Sequence, residues 1–265
     1  MTFILGIAQT CHPVDGDVVA LVRAYARKAK AAGAQLLVFP ESLMSVYEKE
    51  REAFVNESQP VDGPFPAAMN AIAREEGLWL VYTMNERADN GGLPFNTAII
   101  TDDMGTVRGI YRKTHLFDTD FTQESSRMQA SDALFQPIDT PFGRLGLAIC
   151  YDLRFPEVAR VEALDGCQVM IYPAAWADGK VKAHQWRTLL AARAIENGMF
   201  VVGVSRADAG YIGQSCVVDP RGTIIAQAGP DEQLLTCTID TDLIAQVRAI
   251  NPTLDHRRPA LYGTR

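Results

Sequence analysis

The chain has 265 residues, 48% of them apolar, and a formal net charge of -7 at pH 7. That length fits one large α/β domain with a sizeable core, or two small ones. The acidic balance argues against nucleic acid as a partner, leaving room only for a local basic patch, and no apolar run is long enough to engage a membrane by spanning it.

TFILGIAQ (2–9) predicts a short apolar strand. Asp15 or Asp17 can N-cap a helix through VVALVRAYARKAKAAG, with Gly33 as its stop. QLLVFP is a buried strand closed by Pro40, with Glu41 next, and FPAAMNAIAREEG is a helix ended by Gly77. LWLVYTM and FNTAIIT are strands, and TVRGIYR follows the turn DDMG. Residues 115–133 are polar and irregular and read as a long loop. RLGLAIC is a strand running to Cys150, FPEVARVEALDG a helix ended by Gly166, QVMIYPAA a strand, and AHQWRTLLAARAIENG an amphipathic helix ended by Gly198. MFVVGVSR, SCVVDP, TIIAQAG and LLTCTID close the chain as strands, mostly in hairpins. No Pro/Gly/Ser-rich linker or internal repeat interrupts this order, so one mixed α/β domain with layered sheets over residues 1–265 is the economical expectation.

The opening MTFILGIAQT lacks a basic segment and a small-residue cleavage site, so a signal peptide is not expected. Five scattered cysteines (Cys11, Cys150, Cys167, Cys216 and Cys237) without a C-x-x-C pair disfavour a disulfide framework and a zinc ribbon, and point to a reducing, cytoplasmic setting. The serine-hydrolase elbow, the dinucleotide and P-loop glycine patterns and H-E-x-x-H are all absent. None of the four histidines is spaced as a metal pair, and only His115 and His184 fall in the patterned core. A cysteine enzyme built this way must activate its thiol otherwise, with a carboxylate to take the proton and a lysine to stabilise charge.

Three strands end in suitable groups: QLLVFP at Glu41, GIYR at Lys113 and LGLAI at Cys150. Ligands of open α/β sheets gather at the carboxyl ends of strands. Each residue also has a plain structural reading, as buried filler, turn acid or surface charge. Their matching positions after apolar runs make one shared site the better reading.

FPES, YRKTHLFD and AICYDLRFPE resemble the three signature segments of the nitrilase superfamily of carbon–nitrogen hydrolases, and WRTLLAARAIENGMFVVGVSR and SCVVDPRG resemble its C-terminal half. The resemblance runs from GIAQT to the HRRPALY tail. It implies an α-β-β-α sandwich, commonly paired into a homodimer through its outer helices; the face of FPEVARVEALDG suits either core burial or such an interface. It also implies Glu41 as general base, Lys113 as transition-state stabiliser and Cys150 as nucleophile. FTQES points to Glu124 as the second glutamate, which would orient Lys113, although the loop before it looks shorter than in many members.

In that scheme the thiolate attacks a planar amide carbon, Lys113 and the backbone N–H of Tyr151 hold the oxyanion, ammonia leaves, and water resolves a thioester. No metal or organic cofactor is required. Tyr151 and Asp152 after the nucleophile, in place of Trp-Glu, resemble the branch of small amidases that includes omega-amidases and amidases of deaminated glutathione. The expected partner is thus a small amide. A hydrolase of N-carbamoyl compounds is the rival enzyme, and a silent scaffold on the same fold the rival from another class. Arg154 either grips a substrate carboxylate or bridges to Asp152 or Glu157. Trp176 either walls the pocket or anchors two layers, and Arg206 either faces the site or is a surface charge. Tyr47 and Tyr82 have weaker claims; His115 is expected to position its loop, and His184 to pack or cap.

Overall fold

The computed structural model describes residues 1–14, 16–45, 51–120 and 122–262. Its first half is β1 (Thr2–Gln9), α1 (Val18–Ala31), β2 (Leu36–Val38), α2 (Arg51–Asn56), α3 (Pro64–Glu76), β3 (Trp79–Glu86), β4 (Phe95–Thr101) and β5 (Val107–Arg112). The second half is β6 (Ile138–Thr140), β7 (Gly143–Leu147), α4 (Pro156–Leu164), β8 (Val169–Ala174), α5 (Lys182–Asn197), β9 (Phe200–Ser205), β10 (Cys216–Val218), β11 (Ile224–Gln227), β12 (Gln233–Asp240) and α6 (Asp242–Ile250).

The strands form two six-stranded sheets, ordered β12-β1-β2-β3-β4-β5 and β11-β10-β9-β8-β7-β6. In each, three neighbouring strands run parallel (β1, β2, β3 and β7, β8, β9) because helices make the crossovers between them, while hairpin-type neighbours pair antiparallel. The side-chain period of two assigns the faces. Phe3, Leu5 and Ile7 of β1 point into the core between the sheets, while Ala8 packs toward α1 and α3. β2 divides likewise, with Leu36 and Val38 inside the sandwich and Leu37 on the helix side. A Cβ on Gly6 would meet Leu37 Cδ1 at 3.0 Å and Ala29 Cβ at 3.5 Å, so α1 lies directly on the sheet there. Trp186 of α5 packs over Gly203 of β9 in the same way, with its Cζ2 2.5 Å from where a Cβ would stand. Helices on both outer faces of two stacked sheets make the expected α-β-β-α sandwich.

Of the two expected caps, Asp17 holds α1, its side chain accepting from the N–H of Ala20; Asp15 lies outside the described residues. Several features differ from the sequence-based expectation. LLTCTID does not hairpin with its predecessor: β12 crosses to the other sheet and pairs with β1 along eight residues. β6, α2 and α6 were not expected; α6 docks through Arg248, which donates to the carbonyls of Cys167, Asn197 and Gly198 and so satisfies the C-terminal end of α5. The strand RLGLAIC stops early, at Leu147, because the backbone turns before Cys150.

Candidate active site

The three reactive groups converge beyond the strand ends. After β2, Thr83 Oγ1 donates to Pro40 O at 2.9 Å and itself accepts from Leu43 N at 3.1 Å, clipping the Glu41 loop to β3. After β5, Lys113 is held at both backbone ends, by Asn96 O at 2.9 Å and by Ser131 N at 3.0 Å. After β7, the N–H of Ile149 donates to Asp152 Oδ2 at 2.9 Å and a short 3-10 turn spans Cys150–Arg154. Cys150 itself has φ +45°, a left-handed conformation that costs an L-residue roughly 1–2 kcal/mol. The neighbouring lining residue Ser42 shares the trait at φ 56°. Backbone strain at a site of this kind is held in place by the surrounding hydrogen bonds.

Lys113 is 2% exposed, and its ammonium donates to Glu41 Oε1 at 2.9 Å and to both oxygens of Glu124 at 3.0 and 2.8 Å. Asn96 Nδ2 bridges the same two carboxyls, at 2.7 Å to Glu41 and 3.2 Å to Glu124. Glu41 Oε2 accepts from Ala175 N at 2.7 Å, and Glu124 Oε2 from Phe117 N at 2.7 Å. Burial opposes charge on Glu41, but the Lys113 ammonium and the hydrogen bonds from Lys113 and Ala175 outweigh it and hold the carboxyl below its ordinary range. Burial likewise opposes charge on Lys113, yet Glu124, Glu41 and Cys150 raise it well above the usual lysine value. Burial and the adjacent Glu41 push the Cys150 thiol well up, with Lys113 only partly offsetting them. The resting site therefore pairs a neutral thiol with an ionised base and a fixed cation. These groups line a cleft of about 280 Å³ with Phe117 and Tyr211 on its walls.

The carbon-nitrogen hydrolase family model matches residues 6–249. The chain belongs to the carbon–nitrogen hydrolase family. It is 36% identical over 252 residues to deaminated glutathione amidase of Bos taurus, covering 89% of this chain and 76% of that protein. It is 33% identical over 260 residues to omega-amidase NIT2 of Homo sapiens, covering 94% of this chain and 92% of that protein. Its fold matches, at TM-score 0.80 and 25% identity over 99% of this chain and 95% of the other, a Glu-to-Gln mutant of the amidase from Nesterenkonia sp. AN1 that shows covalent addition of the acetamide moiety of fluoroacetamide at the active-site cysteine.

Around this hydrolase's cluster, the other expected residues divide. Tyr151 stands in the first turn after Cys150, and its ring meets Phe117 edge-on at 5.0 Å. Arg154 makes neither bridge weighed for it, to Asp152 or to Glu157: its guanidinium donates to Gln185 Oε1 at 2.9 Å and lies 4.8 Å from the Trp176 ring centre. Trp176 is placed both beside the nucleophile and against a helix. It borders the space beside Cys150, and it packs on Trp186 at 5.0 Å with its indole N–H on Lys182 O at 3.0 Å. Arg206 is buried rather than at the surface, paired with Asp208 at 2.7 Å, and lines a small cavity behind Glu41 and Ser42 instead of the main cleft. Tyr82 faces α3 and the helix-side core. His184 is exposed, so it neither packs nor lines the site. Tyr47 lies outside the described residues.

Sequence reasoning missed Asn96 and Asp152. Fully buried Asp152 accepts from Ile149 N on the cysteine loop and from Tyr111 Oη at 2.8 Å, Thr114 Oγ1 at 3.2 Å and His115 Nδ1 at 2.8 Å on the lysine side. It ties the two reactive loops together, and His115, stacked on Phe155 at 3.8 Å, serves as part of that tie. The signal was present in CYDLR, an acid two residues beyond a thiol, but an acid in a turn reads first as a solvated one.

Proposed function

We propose that this hydrolase cleaves the C–N bond of small linear amides bearing a carboxylate, through a thioester on Cys150. One observation carries the reading: beside the thiol, a buried lysine is shared between two glutamates, so a base and a fixed positive charge face one reacting atom. Because the thiol is held neutral and Glu41 is held ionised, Glu41 takes the thiol proton as sulfur attacks the amide carbon. Negative charge then develops on the former carbonyl oxygen, where Lys113 and the Tyr151 N–H stabilise it. Glu41 hands its proton to the departing nitrogen, the C–N bond breaks, and ammonia leaves. Water, deprotonated by Glu41, attacks the thioester, the C–S bond breaks to release the carboxylic acid product, and Glu41 returns the proton to the Cys150 sulfur. Glu124 holds Lys113 in place throughout.

The substrate class is supported by likeness to amidases of deaminated glutathione and to omega-amidases. A reducing cytoplasm suits a thiol that must stay unoxidised. Leu164 of α4 and Ile195 of α5, 43% and 50% exposed on the outer helical layer, support a homodimer joined there, which light scattering tests directly. No helix among the described residues is long and apolar enough to cross a membrane.

The test is ammonia release from a panel of linear amides with Cys150→Ala as control. Turnover of amides by the native chain alone supports the reading. Carbon dioxide released with ammonia moves the activity to N-carbamoyl compounds, and a silent panel with an unreactive Cys150 makes the protein a scaffold.

A further inference from the structure

A second, smaller cavity of about 30 Å³ adjoins the cleft and shares Phe117, Cys150, Ala175 and Ala177 with it. Its remaining walls are Tyr151, Trp176, Arg154 and Lys182. That volume holds a group of two or three heavy atoms, since one water occupies about 10–15 Å³ on this measure.

The electrostatics of this cavity are one-sided. Neither Arg154 nor Lys182 has a carboxylate partner among the described residues; Arg154 meets the amide oxygen of Gln185, and Lys182 lies 5.4 Å from the Phe117 ring centre. Lys182 is the first residue of the 16-residue helix α5, whose first turn contains no acid. A helix N-terminus carries partial positive charge and ordinarily attracts acids, so a lysine there adds cation to cation. Partial burial and then repulsion from Arg154 lower the Lys182 ammonium below its ordinary range. A guanidinium, an ammonium and a helix N-terminus thus converge, uncompensated, on a slot beside the nucleophile in a chain of net charge -7.

Resting on the amidase reading above, we propose that Lys182 acts with Arg154 as the specificity-determining pair that takes the substrate's carboxylate, with Lys182 as the element that separates acidic from neutral amides. A carboxylate seated between them relieves their mutual repulsion and accepts from both, the planar fork of Arg154 fixing orientation and Lys182 supplying a point charge. Gln185, one turn along α5 from Lys182, holds the Arg154 fork in register with it. The rings of Tyr151, Trp176 and Phe117 stand beside the two cations.

The test compares glutaramate, the monoamide of glutaric acid, with neutral pentanamide of the same chain length. In Lys182→Met the ratio of kcat/KM for glutaramate to that for pentanamide falls at least ~10-fold, about 1.4 kcal/mol of selective binding. Lys182→Arg, which keeps the charge, retains most of the ratio, and Lys182→Glu lowers it further. An unchanged ratio in Lys182→Met, whether both rates hold or both fall together, overturns the assignment. Glutarate binding to Cys150→Ala by calorimetry keeps the two readings apart. Binding that weakens at least ~10-fold on adding Lys182→Met supports the subsite even if no amide is turned over. Binding that Lys182→Met leaves unaltered, or no binding at all, overturns it even if amides are hydrolysed.

Discussion

Two glutamate–cysteine pairs lie near β7. Glu41 and Cys150 meet beyond its C-terminal end; Glu162 and Cys167 meet against Gly146, where an added Cβ would stand 2.4 Å from Glu162 Oε2 and 2.6 Å from Cys167 Sγ. All four side chains are buried, Glu41 at 4% and Glu162 at 0% exposure. Their ionisation nevertheless runs in opposite directions. Burial drives Glu162 well above the ordinary glutamate range, with one backbone N–H, from Leu147 at 2.9 Å, opposing it, and its Oε1 has no hydrogen-bond partner among the described residues. Glu41 suffers the same desolvation but sits below that range, because Lys113 and two further donors, Ala175 N–H and the Cys150 thiol, face it. Burial alone makes a glutamate an inert acid; burial against an ammonium makes it a base. Lys113 is the difference between the two pairs.

The comparison is sharpened most by removing each sulfur. Cys150→Ala is expected to cut amide turnover at least ~10⁴-fold with the melting temperature almost unchanged, since the nucleophile is gone and only a small void remains. Cys167→Ala should do the reverse: turnover within a factor of about three of native, and stability lower by about 1 kcal/mol in urea titration. Turnover lost in Cys167→Ala would break the contrast.

Lys113→Met converts the first site toward the second. Loss of the oxyanion donor is expected to lower kcat at least ~100-fold. Without the ammonium, Glu41 moves upward, so the acid limb of the residual rate shifts to higher pH in the variant's pH–rate profile. Lys113→Arg should not restore the rate, because a planar fork cannot take the ammonium's place between two carboxyls.

Asp152→Asn probes the tie between the two loops. It cannot accept from Ile149 N, Tyr111, Thr114 and His115 together, as the carboxylate does. The expected outcome is a kcat about 10-fold lower with KM changed by less than a factor of about two, together with a melting temperature lower by several degrees, read in steady-state kinetics and calorimetry.

The smallest effect concerns pH and stability. Glu162 has its folded-state pKa raised, so its contribution is fully present below the ordinary glutamate value near 4.3 and is lost as pH rises from there toward the folded value, by up to about 1.4 kcal/mol per pH unit. Glu162→Gln, which can still accept from Leu147 N, should therefore gain stability over the native chain as pH rises above about 5. Glu41, with its pKa lowered, contributes in the opposite sense: its share is present above the ordinary value and lost as pH falls through the folded one. Urea titrations across pH read both, and a Glu162→Gln curve parallel to native would show that the carboxyl keeps its charge when buried.

Much of this molecule could be read locally. Apolar runs of period two, glycine stops such as Gly77 and Gly198 in left-handed conformation, and Asp17 at a helix start are decided within a few residues, because backbone sterics and caps act over one turn. The placing of Glu41, Lys113 and Cys150 after three apolar runs was legible for the same reason. What lay beyond reach depends on neighbours far along the chain. Glu41 is seated by Ala175, 134 residues away, and Asn96 joins it to Glu124. The partner of β12 is β1, since an edge strand's register is chosen by the sheet that receives it and not by its own pattern. A lysine at the start of α5 reads as surface charge until α5 packs beside the turn that carries Arg154. The sequence by itself determined that a glutamate, a lysine and a cysteine follow three apolar runs; only tertiary packing decided that they meet and which carboxyl stays ionised, because charge in a buried site is set by what stands within a few ångströms of it.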